Sequence, residues 1–206
     1  MRKLIMWNMV TLDGLFEGSK SWDLDWHNYF WGDELAEFSL EQLKTAGALL
    51  FGRTTYEGMA AYWTTAEGEA GEVAALMNSL PKYVFSGTLE KAEWNNSTLI
   101  SSHARETVRD LKQQDGKDLF IFGSAYLTAS MMSVGLIDEF RLGLNPLLLG
   151  KGTPLFARSG DELRLKLLEA RPLQTGIVLL RYAPLASQGP DRTQAKMDDV
   201  SGETAN

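Results

Sequence analysis

Apolar positions along this chain fall into two rhythms: short unbroken or alternating runs, and longer stretches with apolar residues spaced by three and four. The segment from Phe120 to Phe156, FIFGSAYLTASMMSVGLIDEFRLGLNPLLLGKGTPLF, shows both. A strand over Leu119–Phe122 stops at Gly123-Ser124, and Leu127, Met131 and Val134 then recur at helical spacing until Gly135, a residue suited to a left-handed helix cap. Phe140, Leu142 and Leu144 alternate as a further strand should. This is strand, glycine turn, helix, strand. The start of the helix follows the strand directly, so its unpaired N–H groups and positive dipole end are placed to meet a phosphate. A nucleotide cofactor is the first expectation.

The same grammar recurs elsewhere. Lys3–Val10 predicts a central first strand, closed by the turn pairs Asp13-Gly14 and Glu17-Gly18. A helix is predicted from Asp33, with Ala36, Leu40 and Leu43 on its apolar stripe, ending near Gly47. The strand Ala48–Phe51 runs into Gly52-Arg53-Thr54-Thr55, a second glycine-and-hydroxyl turn at a strand-to-helix junction. Glu67–Leu80 reads as a helix stopped by Pro81, with Val73, Met77 and Leu80 on one stripe. Lys82–Phe85 is a strand closed by Ser86-Gly87-Thr88. Ser97–Ile100 is another, and Ser101 or Ser102 is placed to cap a helix carrying Ala104, Val108 and Leu111. Leu163–Ala170 and Gly176–Tyr182 are two late strands with no helix between them.

Strands separated by helices predict an α/β fold with a doubly wound, mostly parallel sheet covered on both faces, and an antiparallel C-terminal edge. At 206 residues one domain is expected, over 1–186, with the polar stretch 187–206 a flexible tail.

Composition narrows the chemistry. The 20 basic and 27 acidic side chains give a net charge of −7, which argues against nonspecific binding to nucleic acid or an anionic membrane. Cysteine is absent and only His27 and His103 are present, which removes thiolate catalysis and makes a metal site unexpected. No apolar run reaches the roughly 18 residues of a membrane helix, and the N-terminus reads as a strand and not a leader, so a cytoplasmic enzyme is expected. Gly150-Lys151-Gly152 does not meet the Walker pattern, because no Ser or Thr follows Lys151. The aromatic segment Trp22–Trp31 lacks clean periodicity; it either walls a pocket or plugs one end of the core.

Several blocks together, MVTLDG, LLFGRTTYEGM, YVFSGTLEKAEW and the Phe120–Phe156 segment, resemble the dihydrofolate reductase-like superfamily. Within it they are similar to the reductase domain at the C-terminus of the bacterial bifunctional riboflavin-biosynthesis deaminase-reductase. The resemblance runs from about Lys3 to Tyr182. It implies a sheet of about eight strands binding NADPH across the strand tips, and hydride transfer to a small heterocyclic or sugar-derived substrate. By position, Gly52, Arg53, Thr54 and Thr55 would meet the cofactor phosphates and adenosine side. Ser86 and Thr88 would flank the adenine ribose, and Gly123, Ser124, Ala125, Tyr126 and Leu127 the pyrophosphate.

Asp13 would border nicotinamide and substrate, as a catalytic proton donor with a raised pKa, with Asp23 and Asp25 as competitors. Trp22, Asp25 and Trp26 would line the substrate side, with His27 a further candidate. Relatives commonly have two glycines where this chain has Gly123-Ser124; a serine at ordinary angles still allows close backbone approach, but it puts in doubt a strained peptide like that of the double glycine. The resemblance further implies a homodimer, and as substrate the phosphoribosylamino pyrimidine of riboflavin synthesis. Dihydrofolate reduction, or a nonenzymatic nucleotide-binding role on the same fold, are the alternatives.

Overall fold

The computed structural model describes residues 1–66, 71–156 and 162–185. The start of the helix expected from Glu67 and the tail expected over 187–206 lie outside these residues.

In chain order the sheet strands are β1 (Leu4–Thr11), β3 (Ala46–Gly52), β4 (Lys82–Phe85), β5 (Ser97–Ile100), β6 (Asp118–Phe122), β7 (Glu139–Asn145), β9 (Leu165–Pro172) and β10 (Val178–Pro184). Two short strands, β2 (Leu15–Glu17) and β8 (Thr153–Pro154), pair outside the main sheet. The helices are α1 (Asp33–Thr45), α2 (Arg53–Trp63), α3 (Gly71–Ser79), α4 (Ala104–Gln113) and α5 (Ala125–Met132), with a short 3-10 helix at Asp25–Phe30. The main sheet has eight strands in the order β5-β4-β3-β6-β1-β7-β10-β9. The pairs from β5 to β7 are parallel; β10 is antiparallel to both β7 and β9. This is the α/β architecture expected, with its antiparallel C-terminal edge. Among the described residues no helix is long and apolar enough to cross a membrane.

Strand alternation sends successive side chains to opposite faces. Met6, Leu50 and Ile121 pack with Val108, Leu127 and Met131, so α4 and α5 cover one face. Ile5, Leu49, Phe51 and Phe120 pack with Leu43, Tyr56 and Met77, so α1, α2 and α3 cover the other. Each such fully buried apolar side chain contributes about 1.5–3 kcal/mol of transfer free energy.

After β3 the chain steps outward through β4 and β5, then returns to insert β6 between β3 and β1. Hence α2 leaves the tip of β3 toward one face and α5 leaves the tip of β6 toward the other. A crevice opens where neighbouring strands diverge in this way, which is where open α/β sheets take ligands.

Local expectations needed revision at three places. The buried side of α1 is Leu35, Phe38, Gln42 and Leu43, with Ala36 and Leu40 only half-buried. Gly47 lies within β3, at a register irregularity where a Cβ would meet Lys117 O at 2.6 Å; the helix ends two residues earlier. The residue preceding α4 is His103, at φ 55°, and neither Ser101 nor Ser102 caps it. The sheet also buries Glu139, which accepts hydrogen bonds from Arg181 (2.8 Å) and Arg141 (2.7 Å). Burial pushes this carboxyl up, but the two guanidinium groups outweigh it and hold it below the usual carboxylate range.

Candidate active-site cleft

The tips of β4, β3 and β6 stand side by side: Gly52 lies opposite Phe85, and Leu50 opposite Ile121. A cleft of about 1140 Å³ opens beyond them. That exceeds the roughly 300–1,000 Å³ of a pocket for one drug-sized ligand, leaving room for a long ligand beside a second small one. At the strand tips its wall is built from Gly52, Arg53, Thr54, Thr55, Thr88 and the run Gly123–Leu127.

Two glycines let the β3 and β6 turns close on each other. A Cβ on Gly52 would sit 2.4 Å from Ser124 Oγ, and one on Gly123 would sit 2.8 Å from Thr55 Cγ2. Gly123 and Ser124 are consecutive left-handed residues, at φ 67° and 56°. Ser124 is therefore not at ordinary angles, and the left-handed pair a double glycine would form is kept. The serine takes over a position that suits glycine, and its hydroxyl offsets part of the cost by accepting from Leu127 N at 3.3 Å as the cap of α5. At α2 the preceding residue, Gly52, provides no side-chain cap, so the first N–H groups of that helix are open toward the cleft. Arg53 is exposed, and among the described residues no carboxylate pairs with it. Ser86 does not line the cleft. Its hydroxyl oxygen accepts from Thr88 N (3.2 Å) and Leu89 N (3.0 Å), which holds the turn that presents Thr88.

The opposite end of the cleft is aromatic. Trp22, Leu24, His27 and Trp31 face the sheet residues Trp7, Asn8 and Met9, with Met59 and Trp63 of α2 completing the wall. Trp22 has φ 64° and lies against Gly58, where a Cβ would come within 2.3 Å of the indole ring. The Trp22 backbone N–H donates to the Glu17 carboxylate, which also lines the cleft. Trp26 behaves differently: it is buried with Met9, Leu35, Phe38 and Ile177 and belongs to the core. Asp25 is exposed at the start of the 3-10 helix and is not a wall residue. His27 packs edge-on to Trp26 at 4.3 Å, and burial pushes its imidazole down to about 4, so it is uncharged at neutral pH.

Asp13 is not in the cleft wall either. Its carboxylate accepts from Thr11 Oγ1 (2.5 Å), Gly150 N (2.8 Å) and Leu149 N (3.2 Å). The Thr11 hydroxyl and the Gly150 amide hold this carboxyl below its ordinary value, opposite to the raised pKa a neutral-pH proton donor needs. Asp13 thus fastens the loop after β7 to the end of β1. In the same loop Gly152 is required by contact, because a Cβ there would strike Glu17 O at 2.1 Å. Among the described residues no group of three or more metal-ligating side chains is assembled.

Glu17, Asn8, Met59 and Trp63 are wall residues that the sequence pattern did not single out. A family model described as the RibD C-terminal domain matches residues 2–179. The chain belongs to the RibD C-terminal domain family. A relative, the uncharacterized protein YyaP of Bacillus subtilis (strain 168), is 34% identical over 183 residues, covering 88% of this chain and 94% of that one. Among solved structures, a putative riboflavin biosynthesis protein from Shewanella sp. PV-4 superposes with a TM-score of 0.72 at 19% identity, covering 89% of this chain and 99% of that one. Dihydrofolate reductase from Enterococcus faecalis, complexed with NADP(H), superposes at 0.60 with 13% identity, covering 89% and 97%. The RibD C-terminal fold here is thus dihydrofolate reductase-like.

Proposed function

We propose that the protein is an NADPH-dependent reductase that transfers hydride to a small heterocyclic substrate, a pyrimidine of the riboflavin-biosynthetic type being the first candidate. The observation that carries this reading is the pairing of two helix starts, α2 and α5, across the adjacent tips of β3 and β6. Open N–H groups, two positive dipole ends and the Arg53 guanidinium form a donor set suited to a polyanion. Gly52–Thr55 and Gly123–Leu127 would hold the phosphates, and Thr88 would stand at the ribose. The enterococcal neighbour's NADP(H) supports a dinucleotide over a mononucleotide. NADPH, when bound, supplies the hydride.

The chain's own residues orient and exclude water. Trp22, Trp31 and Trp63 offer a dry aromatic wall for a flat ring. Glu17 is the carboxylate of that wall and would orient an ordered water as the route for the proton, a position Asp13 does not reach. The protein would be a homodimer: the edge strand β9 leaves Leu165, Leu167 and Leu168 exposed, an arrangement that favours pairing with another copy.

The test is consumption of reduced nicotinamide, followed by absorbance, with a panel of pyrimidines, pterins and simple carbonyls. Turnover on a heterocycle is expected. Tight NADPH binding without turnover on any member would favour the nonenzymatic alternative, and failure to bind NADPH would remove the proposal.

A further inference from the structure

The aromatic end of the cleft has a charge balance that bears on its substrate. Among the described residues, the lining side chains that carry formal charge are Arg53 and Glu17. Arg53 is the first residue of α2, at the tip of β3 among the proposed cofactor-phosphate contacts. The aromatic end, from Trp7 and Asn8 to Trp31, therefore has Glu17 as its one charged side chain and no lysine or arginine. His27 adds no cation, since burial holds its imidazole neutral at pH 7. Lys20, the basic residue of the loop over Gly18–Trp22, is exposed and is not a wall residue. The polar groups remaining there are Asn8, Ser21 and Ser39.

A phosphomonoester carries nearly two negative charges at neutral pH. Placing it beside aromatic rings and a carboxylate, with no cation to pair it, costs both desolvation and like-charge repulsion. An uncharged or cationic flat ring has neither cost. Resting on the reading of this end as the substrate site, we propose that the enzyme selects unphosphorylated planar heterocycles and rejects their phosphorylated forms. Glu17 is the residue that sets this discrimination. The reaction class supplying such a substrate would include removal of a phosphate, or a route that never adds one.

The test uses matched pairs that differ only in the phosphate: 5-amino-6-(ribosylamino)uracil against its 5′-phosphate, and riboflavin against its 5′-phosphate. Binding to the full chain is read by quenching of tryptophan fluorescence, with NADP⁺ at saturation so that Arg53 is occupied. The unphosphorylated member of at least one pair should bind about tenfold or more tightly than its phosphate. Glu17→Gln, which keeps an oxygen for the Trp22 N–H, should narrow the gap, and Ser21→Arg should raise affinity for the phosphorylated member. Equal or tighter binding of the phosphates, or no binding of either pair, overturns the proposal. NADPH binding is measured separately by nicotinamide emission. If that fails while discrimination persists without nucleotide, the cofactor assignment falls and the charge argument stands.

Discussion

Gly52 and Ser124 meet where β3 and β6 end, so closely that a Cβ on the glycine would lie 2.4 Å from the serine hydroxyl. That hydroxyl also caps α5 through Leu127 N. Gly52→Ala must therefore displace either the cap or one of the two turns. Loss of the cap alone should cost about 1 kcal/mol in denaturant unfolding, and NADPH affinity should fall with it because both proposed phosphate contacts move. Unchanged stability and unchanged affinity would show that the two tips are not coupled.

Asp13 is expected to be a structural residue. Asp13→Ala removes the acceptor for Thr11, Gly150 and Leu149, so the thermal midpoint at pH 7 should drop while NADPH binding is retained. Because the folded carboxyl is held below its ordinary value, its contribution is present above the unfolded pKa of about 3.9 and is lost as pH falls through the folded one. The difference in midpoint between wild type and variant should shrink in acid. A variant of full stability whose turnover is abolished would restore Asp13 to the mechanism.

His27 should make stability depend on pH in a different window. Its folded pKa is about 4 and its ordinary value 6.5, so between these the unfolded chain binds a proton that the folded protein does not. Stability contributed by the neutral imidazole is present above pH 6.5 and declines toward pH 4, by on the order of 3 kcal/mol. His27→Phe should flatten that part of the profile in urea titrations run across this range. Identical slopes for the two proteins would contradict a buried neutral imidazole.

Arg53 is exposed and without a carboxylate partner among the described residues. If its guanidinium meets the 2′-phosphate, Arg53→Ala should weaken NADPH by about tenfold or more and leave NADH nearly unchanged. Fluorescence titration with both nucleotides checks this, and equal loss for the two would place Arg53 elsewhere along the cofactor.

The parts of this molecule visible in its sequence are those governed by local periodicity and turn chemistry. The β6–α5–β7 segment is one: Leu119–Phe122 is an apolar run, Gly123 ends it, and Gly135 closes the helix at φ 65° as a left-handed cap. The β3 and β4 tips are similar. Asp13 was harder to place, because an Asp-Gly pair suits either a turn or a site, and the amides that decide the matter belong to Leu149 and Gly150 across the fold. In the Trp22–Trp31 loop nothing local separates the ring that faces the cleft from the ring that fills the core. Trp22 faces outward because Gly58 on α2 leaves space for its indole, whereas Trp26 turns toward Leu35 and Ile177. Glu17 and Met59 become neighbours of one cavity only when β2 and α2 are folded together.

Amide hydrogen exchange of the full chain, with and without saturating NADP⁺, tests most directly whether the tips of β3 and β6 jointly hold a dinucleotide. Slower exchange confined to residues 53–55 and 124–127, with a smaller effect near Thr88, is the predicted result. Nucleotide binding that leaves both helix starts unprotected, or protects only one of them, would contradict it.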